Sequence, residues 1–175
     1  MVAQDHDMQI VTFRIGRERF ALPTGSAREV ILYEVPRRLP GSQKWVDGVI
    51  NLRGEIIPVC DLLVALGIDG VTTREQIIVC DAPDGSLGLI VEEVTSVIRV
   101  KADEIKHPAA LDHPALAGLV ELGDDLIVLL DIDAALGEYP LTTEMIASLR
   151  DSETATAGTN IVTPVPDDAA SREAA

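Results

Sequence analysis

Two aspartates seventy positions apart, Asp61 and Asp131, are the strongest candidates in this chain for acid–base chemistry. They stand at equivalent points of a repeated segment. Two carboxylates brought together by such pseudo-symmetry could share one proton, the device of an acid hydrolase. Their immediate successors, however, are Leu62 and Ile132, not the small residues and glycine that expose such a pair. Each precedes a short run closed by glycine, LLVALG and IDAALG. Aspartate before a helix and glycine after it are N-cap and C′ signals, so both aspartates are expected as caps. Asp124, Asp125, Asp131 and Asp133 raise a calcium site, but the EF-hand glycine and closing glutamate are missing. His6 lies in the loose start and His107 and His113 flank prolines in a loop, with no cysteine or carboxylate cluster of metal-ligand spacing, so no zinc site is predicted. Cys60 and Cys80 each end an apolar run and are expected as buried, reduced thiols rather than a disulfide. No P-loop, no Gly-x-Gly-x-x-Gly and no Gly-x-Ser-x-Gly elbow occurs, and the pattern predicts neither a cofactor nor an enzyme.

The remaining candidates belong to a surface. Arg53 is a cation in the tight turn Arg53-Gly54, beside apolar strands of an acidic protein. An arginine can hold a carboxylate in a two-pronged fork and fix two elements relative to each other. Spacing alone leaves it equally well an ordinary exposed hairpin charge.

The scaffold for these residues is read from the repeat. Residues 48–67 (GVINLRGEIIPVCDLLVALG) align without a gap with residues 118–137 (GLVELGDDLIVLLDIDAALG). Gly48/Gly118, Leu52/Leu122, Ile57/Ile127, Asp61/Asp131, Ala65/Ala135, Leu66/Leu136 and Gly67/Gly137 are identical. Such self-similarity implies two related structural halves. The copies differ at the turn, Asn51-Leu52-Arg53-Gly54 against Glu121-Leu122-Gly123-Asp124. Period-two alternation places strands at 8–15 and 19–22, with Val11, Phe13 and Ile15 on one face and Phe20 and Leu22 on one face. Further strands are expected at 29–33, 48–52 and 55–60, then 76–81 and 87–91 as a hairpin around Asp84-Gly85, and one or two within 92–100. Residues 34–44, with Pro36, Pro40 and Gly41, and 107–117 form loops, and 102–105 a helical turn. Short helices run from Asp61 to Leu66 and from about Asp131 to Leu136. Leu141, Met145, Ile146 and Leu149 have helical spacing, so a C-terminal helix is expected. Residues 1–7 are expected to be loose, and the tail 151–175, poor in apolar side chains, to be disordered. Many short strands with almost no long helix give an all-β class, and duplication makes it two small barrels within one domain, residues 8–150.

Composition narrows the function. The formal charge is −15, from 29 acidic and 14 basic residues. No basic footprint for nucleic acid is visible, and an anionic membrane is disfavoured by the same logic. No apolar run approaches the ~20 residues of a membrane span and no leader pattern opens the chain, so a cytoplasmic location is expected.

The run Trp45-Val46-Asp47-Gly48-Val49-Ile50-Asn51-Leu52-Arg53-Gly54-Glu55-Ile56-Ile57-Pro58-Val59-Cys60-Asp61-Leu62 resembles the signature of the chemotaxis coupling protein family CheW. Phe13 through Ile31, Gly88 through Val94, and Leu129 through Asp133 are similar to other parts of that family, and the resemblance covers roughly residues 8 to 137. It implies two intertwined five-stranded, SH3-like barrels and an adaptor rather than an enzyme. Such proteins bridge the cytoplasmic tip of methyl-accepting chemoreceptors and the regulatory domain of the histidine kinase CheA, which shares the fold, and the two can form rings. The resemblance implies receptor-binding positions at Arg53 and Gly54 and at Glu29 and Val30, with a Glu29–Arg53 ion pair between them. An apolar receptor groove is expected near Val30, Val49 and Ile50, and the kinase on the second half, at Leu87, Leu89, Val97 and Val100. Two residues depart from the family pattern: Asp47 stands where an apolar or basic residue is common, and Leu63 where arginine is frequent. The kinase itself and the CheV protein need further domains for which this chain has no room, so a standalone coupler is expected. A coupler for a non-flagellar pathway is the runner-up.

Overall fold

β-branched and aromatic side chains recur at every second position from Met8 onward, a pattern that suits half-buried strands. A computed structural model describes residues 7–70, 73–82, 85–109 and 113–137. Its strands are β1 (Met8–Ile15), β2 (Glu18–Pro23), β3 (Ala27–Leu32), β4 (Val46–Leu52) and β5 (Glu55–Asp61), followed by helix α1 (Leu62–Leu66). Then come β6 (Gln76–Ala82), β7 (Gly85–Val91), β8 (Glu93–Val100), a 3₁₀ turn at Ala102–Glu104, β9 (Ile105–Lys106), β10 (Leu116–Leu122), β11 (Asp125–Leu130) and helix α2 (Ile132–Gly137). The expected C-terminal helix at 141–150, the tail 151–175 and residues 1–6 lie outside the described residues. The described residues belong to one unit, Met1–Leu141.

The strands form two sheets, ordered β3-β6-β7-β5-β4 and β8-β1-β2-β11-β10-β9. The duplication is visible in the registers. In the first sheet Val59 of β5 lies opposite Gly88 of β7, parallel; in the second, Leu129 of β11 lies opposite Ala21 of β2, also parallel. Leu129 is the repeat partner of Val59, so the N-terminal hairpin β1–β2 fills in the second sheet the place that β6–β7 fills in the first. The chain thus starts in one barrel, builds the other, and returns, which is the intertwining. The second sheet has six strands rather than the expected five, because Ile105–Lys106 pairs with β10. The first half carries only a single bridge at the comparable place, Arg37 to Val49.

Each sheet wraps its own apolar interior: Ile50, Ile57, Val59, Ile77, Val79 and Ile90 in the first, Ile10, Ala21, Val100, Val120, Ile127 and Leu129 in the second. The opposite faces meet in a third, shared core. There Val11, Phe13, Ile15, Phe20 and Leu22 pack with Trp45, Cys60, Leu62, Ile78, Leu87 and Leu89. The expected face pairing of β1 and β2 therefore holds, and Phe13 stacks on Phe20 at 5.9 Å. Leu63, the residue where the family often has arginine, is buried in this same core.

Cys60 and Cys80 are buried free thiols of the shared core. Burial, above all, pushes the Cys80 thiol from its ordinary value near 9 up to about 12, and raises Cys60 as well. The buried thiol stays neutral where the unfolded chain would ionise. Its contribution to stability is therefore full below pH ~9 and is lost as pH rises through about 12. Urea unfolding across that window should show stability falling with pH, and Cys80→Ala should flatten that part of the slope.

Candidate docking surface

The Arg53-Gly54 turn differs from its repeat copy in backbone as well as in charge. Arg53 has φ 53° and Gly54 φ 88°. Positive φ at both central residues is what a type I′ hairpin turn requires. Asn51 helps close the turn, its Oδ1 accepting the Gly54 N–H at 2.8 Å. In the second copy only Gly123 has positive φ, at the first central position, as a type II′ turn requires. Among the described residues Arg53 is the sole non-glycine with positive φ. Strain of this kind, about 1–2 kcal/mol for an L-residue, persists where the surroundings hold it, and it points to function.

The side chain that this turn presents meets Glu29. The Arg53 guanidinium donates from Nη1 and Nη2 to the two Glu29 carboxylate oxygens at 3.1 and 2.9 Å. The ion pair implied by the resemblance is thus present as a fork. Beside it, Arg28 donates to Glu55 at 3.0 Å and to Ser86 at 2.8 Å. The Ser86 hydroxyl, which donates to Glu55, and then Arg28 hold the Glu55 carboxyl below its usual range. β3 and β4 are the two edges of their sheet, and the Glu29–Arg53 pair ties β3 to the turn that follows β4, while Arg28 reaches the ends of β5 and β7.

Beyond the seam, β3 alternates. Ile31 turns inward to the first barrel's interior, while Val30 is 43% exposed and Leu32 80%. Val35, in the following loop, is 85% exposed. Leu32 and Val35 were not among the sequence candidates, although the period-two pattern of β3 carried the signal for Leu32.

Several expected contact residues are corrected by burial. Val49 and Ile50 are both buried, so neither lines a groove. Ile50 fills the first barrel's interior. Val49 exchanges two backbone hydrogen bonds with Arg37, at 2.8 and 2.9 Å, so the β3–β4 loop runs along this edge of β4. Leu87 and Leu89 are buried because their side of β7 faces the shared core between the two barrels. Val100 fills the second barrel. Of the four expected kinase contacts only Val97, on edge strand β8, meets solvent. Val97 lies opposite Val11 of β1 as Val30 lies opposite Ile78 of β6, so the two exposed valines occupy equivalent places in the two barrels.

The aspartates are committed elsewhere. Asp61 Oδ1 accepts the Leu63 and Val64 N–H groups, and Gly67 closes α1 in the left-handed conformation. Asp131 accepts the Ala134 N–H at 2.9 Å. Both are caps, as expected. Asp61 also pairs with Arg74 at 3.3 Å, and Arg74 in turn binds Asp47 and the Tyr33 hydroxyl. Sequence reasoning missed this cluster because its members lie on four separate segments. It gives Asp47 a partner and a reason to be acidic. Among the described residues no group of three or more His, Cys, Asp or Glu is arranged to hold a metal. No described helix is long and apolar enough to cross a membrane.

The fold is thus two SH3-like barrels sharing a core, with both repeat aspartates capping helices and a charged seam beside exposed apolar side chains. Residues 9–139 match the model of the CheW-like domain. The chain is 32% identical over 135 residues to the chemotaxis protein CheW of Thermotoga maritima, covering 75% of this chain and 89% of that protein. It is 38% identical over 86 residues to the protein PilI of Pseudomonas aeruginosa, 48% of each chain. The crystal structure of the scaffolding protein TtCheW from Thermoanaerobacter tengcongensis superposes with a TM-score of 0.68 at 27% identity, covering 78% of this chain and 92% of that one. The chain belongs to the CheW-like domain family and is a chemotaxis scaffold protein of CheW type.

Proposed function

We propose that this protein couples the cytoplasmic tip of chemoreceptors to the histidine kinase CheA, without chemistry of its own, in the cytoplasm beside membrane-anchored receptor arrays. The observation that carries the reading is the Glu29–Arg53 fork in a strained turn, set beside exposed Val30 and Leu32 in a CheW-family fold. A helical receptor tip can lay an apolar face against such a strip. The kinase regulatory domain docks on the second barrel, where Val97 is the exposed candidate. An adaptor of this kind acts by geometry and effective concentration, turning a weak bimolecular encounter into a tethered one. Self-association into rings is part of the same proposal. Coupling in a non-flagellar pathway is the second reading, and the partial likeness to PilI favours it. The test is co-sedimentation with receptor-bearing membranes and CheA, followed by kinase activity. The expected result is that the kinase sediments and is activated only when this protein is present; a kinase that stays in the supernatant sinks the reading.

A further inference from the structure

The chain carries −15, yet its cations are not evenly spread. Residues 28–53 hold Arg28, Arg37, Arg38, Lys44 and Arg53 against Glu29, Glu34 and Asp47. Two of these anions are already neutralised, Glu29 by Arg53 and Asp47 by Arg74. Arg37, Arg38 and Lys44 are exposed, and among the described residues none of the three forms an ion pair. Arg38 and Lys44, six positions apart, line one shallow depression with Ser42, Gln43 and Asp47, whose carboxylate is already paired with Arg74. Arg37 is pinned at the edge of β4 by its two backbone bonds to Val49. The backbone at Arg37 is therefore held, Arg37 and Arg38 follow exposed Leu32 and Val35 closely in the chain, and Lys44 meets Arg38 at the depression.

Apolar strip and cationic flank together select one kind of occupant. Strand residues two apart, such as Val30 and Leu32, lie roughly 6.7 Å from each other. Helix residues four apart rise about 6 Å, so a helix laid along β3 can match that repeat. A flank of unpaired arginines and a lysine asks for carboxylates on the side of that helix. The rest of this acidic surface repels an anionic partner, which steers its approach to this loop.

We propose that the β3–β4 loop is an electrostatic clamp for an amphipathic helix, its apolar face on Val30, Leu32 and Val35 and its acidic flank against Arg37, Arg38 and Lys44. The proposal rests on the coupling reading, which supplies the helix as the receptor tip, and it adds the chemistry of recognition. Rim charges of this kind act on association rate and salt dependence more than on dissociation.

The experiment titrates a soluble cytoplasmic chemoreceptor fragment, and separately bare vesicles containing phosphatidylserine, with wild type and with the triple variant Arg37→Gln, Arg38→Gln, Lys44→Gln. All four titrations run from low to high salt. For the fragment, wild-type affinity should fall steeply with salt. The triple variant should bind about tenfold more weakly at low salt, with a flatter slope and an unchanged melting temperature. Arg37→Lys with Arg38→Lys should keep most of the wild-type affinity. If the triple variant binds the fragment with wild-type affinity and slope, the clamp is wrong while the coupling reading stands. If wild type does not bind the fragment at all, both fall together. Wild type binding bare vesicles as tightly as the fragment, and losing both in the triple variant, would make a lipid surface the occupant and overturn the helix assignment.

Discussion

Arg53→Glu is expected to abolish recruitment of CheA to receptor membranes while leaving the protein folded, its melting temperature within about 3 °C of wild type. The expectation separates function from stability because the two draw on different features of the same residue. The Arg53 side chain is 77% exposed and its partner Glu29 23%. A pair so open to water contributes about 0.2–1 kcal/mol, however good its geometry. For a chain of this size 1 kcal/mol moves the midpoint by about 2–4 °C. The reversed charge would also face Glu29, so the strand and the turn would part locally. Arg53→Gly sharpens the test. Glycine takes positive φ freely, which removes the strain of an arginine there and offsets the lost pair. Its melting temperature should match or slightly exceed wild type, and its coupling should still drop. A glycine variant that couples normally would show that the side chain is not part of the surface. Glu29→Arg combined with Arg53→Glu rebuilds the fork with its ends exchanged. Partial recovery in that variant means the pair acts by positioning β3 against the turn; no recovery, with both single changes inactive, means Arg53 itself meets the partner.

The repeat made the architecture legible in the sequence. Seventy positions separate Val59 from Leu129, and the same offset relates the hairpins β4–β5 and β10–β11, including the irregularity before Gly48 and before Gly118. The caps at Asp61 and Asp131 were readable because aspartate, a short apolar run and glycine form a local code. Contact residues were harder. Val49, Ile50, Leu87, Leu89 and Val100 are apolar residues of strands, and whether such a residue lines a core or a surface depends on what covers its strand. That is tertiary information: the shared core covers the Leu87 and Leu89 side of β7, and the β3–β4 loop runs along β4. Val30 and Val97 could be placed because they lie on edge strands that alternate. The Arg74 cluster had no local signature, since Tyr33, Asp47, Asp61 and Arg74 meet only in the fold.

Gly48→Ala should have the largest effect on stability of the changes considered, about 3 kcal/mol, lowering the melting temperature by roughly 10 °C. A Cβ at this position would lie 2.4 Å from the Arg37 carbonyl oxygen, 2.8 Å from its carbon and 2.9 Å from the Pro36 Cβ. The first two obstacles are backbone, which cannot rotate away as a side chain can. Relief requires lifting residues 36–37 off β4, which breaks the two Arg37–Val49 hydrogen bonds, each worth about 1 kcal/mol net. The repeat supplies the control. At Gly118 the nearest atom is the Ile105 Cγ2 methyl at 2.7 Å, and the Lys106 carbonyl oxygen is farther, at 3.0 Å. That methyl can shift with its side chain, so Gly118→Ala should cost about half as much. Parallel thermal melts of the two variants decide the matter: equal losses would mean that the backbone approach at Arg37 is not the controlling contact. Because the same loop carries Arg37, Arg38 and Lys44, lifting it would also displace the cations of the clamp. Gly48→Ala should therefore weaken receptor binding at temperatures where the protein is still folded, and Gly118→Ala, remote from that loop in sequence and in the other barrel, should not.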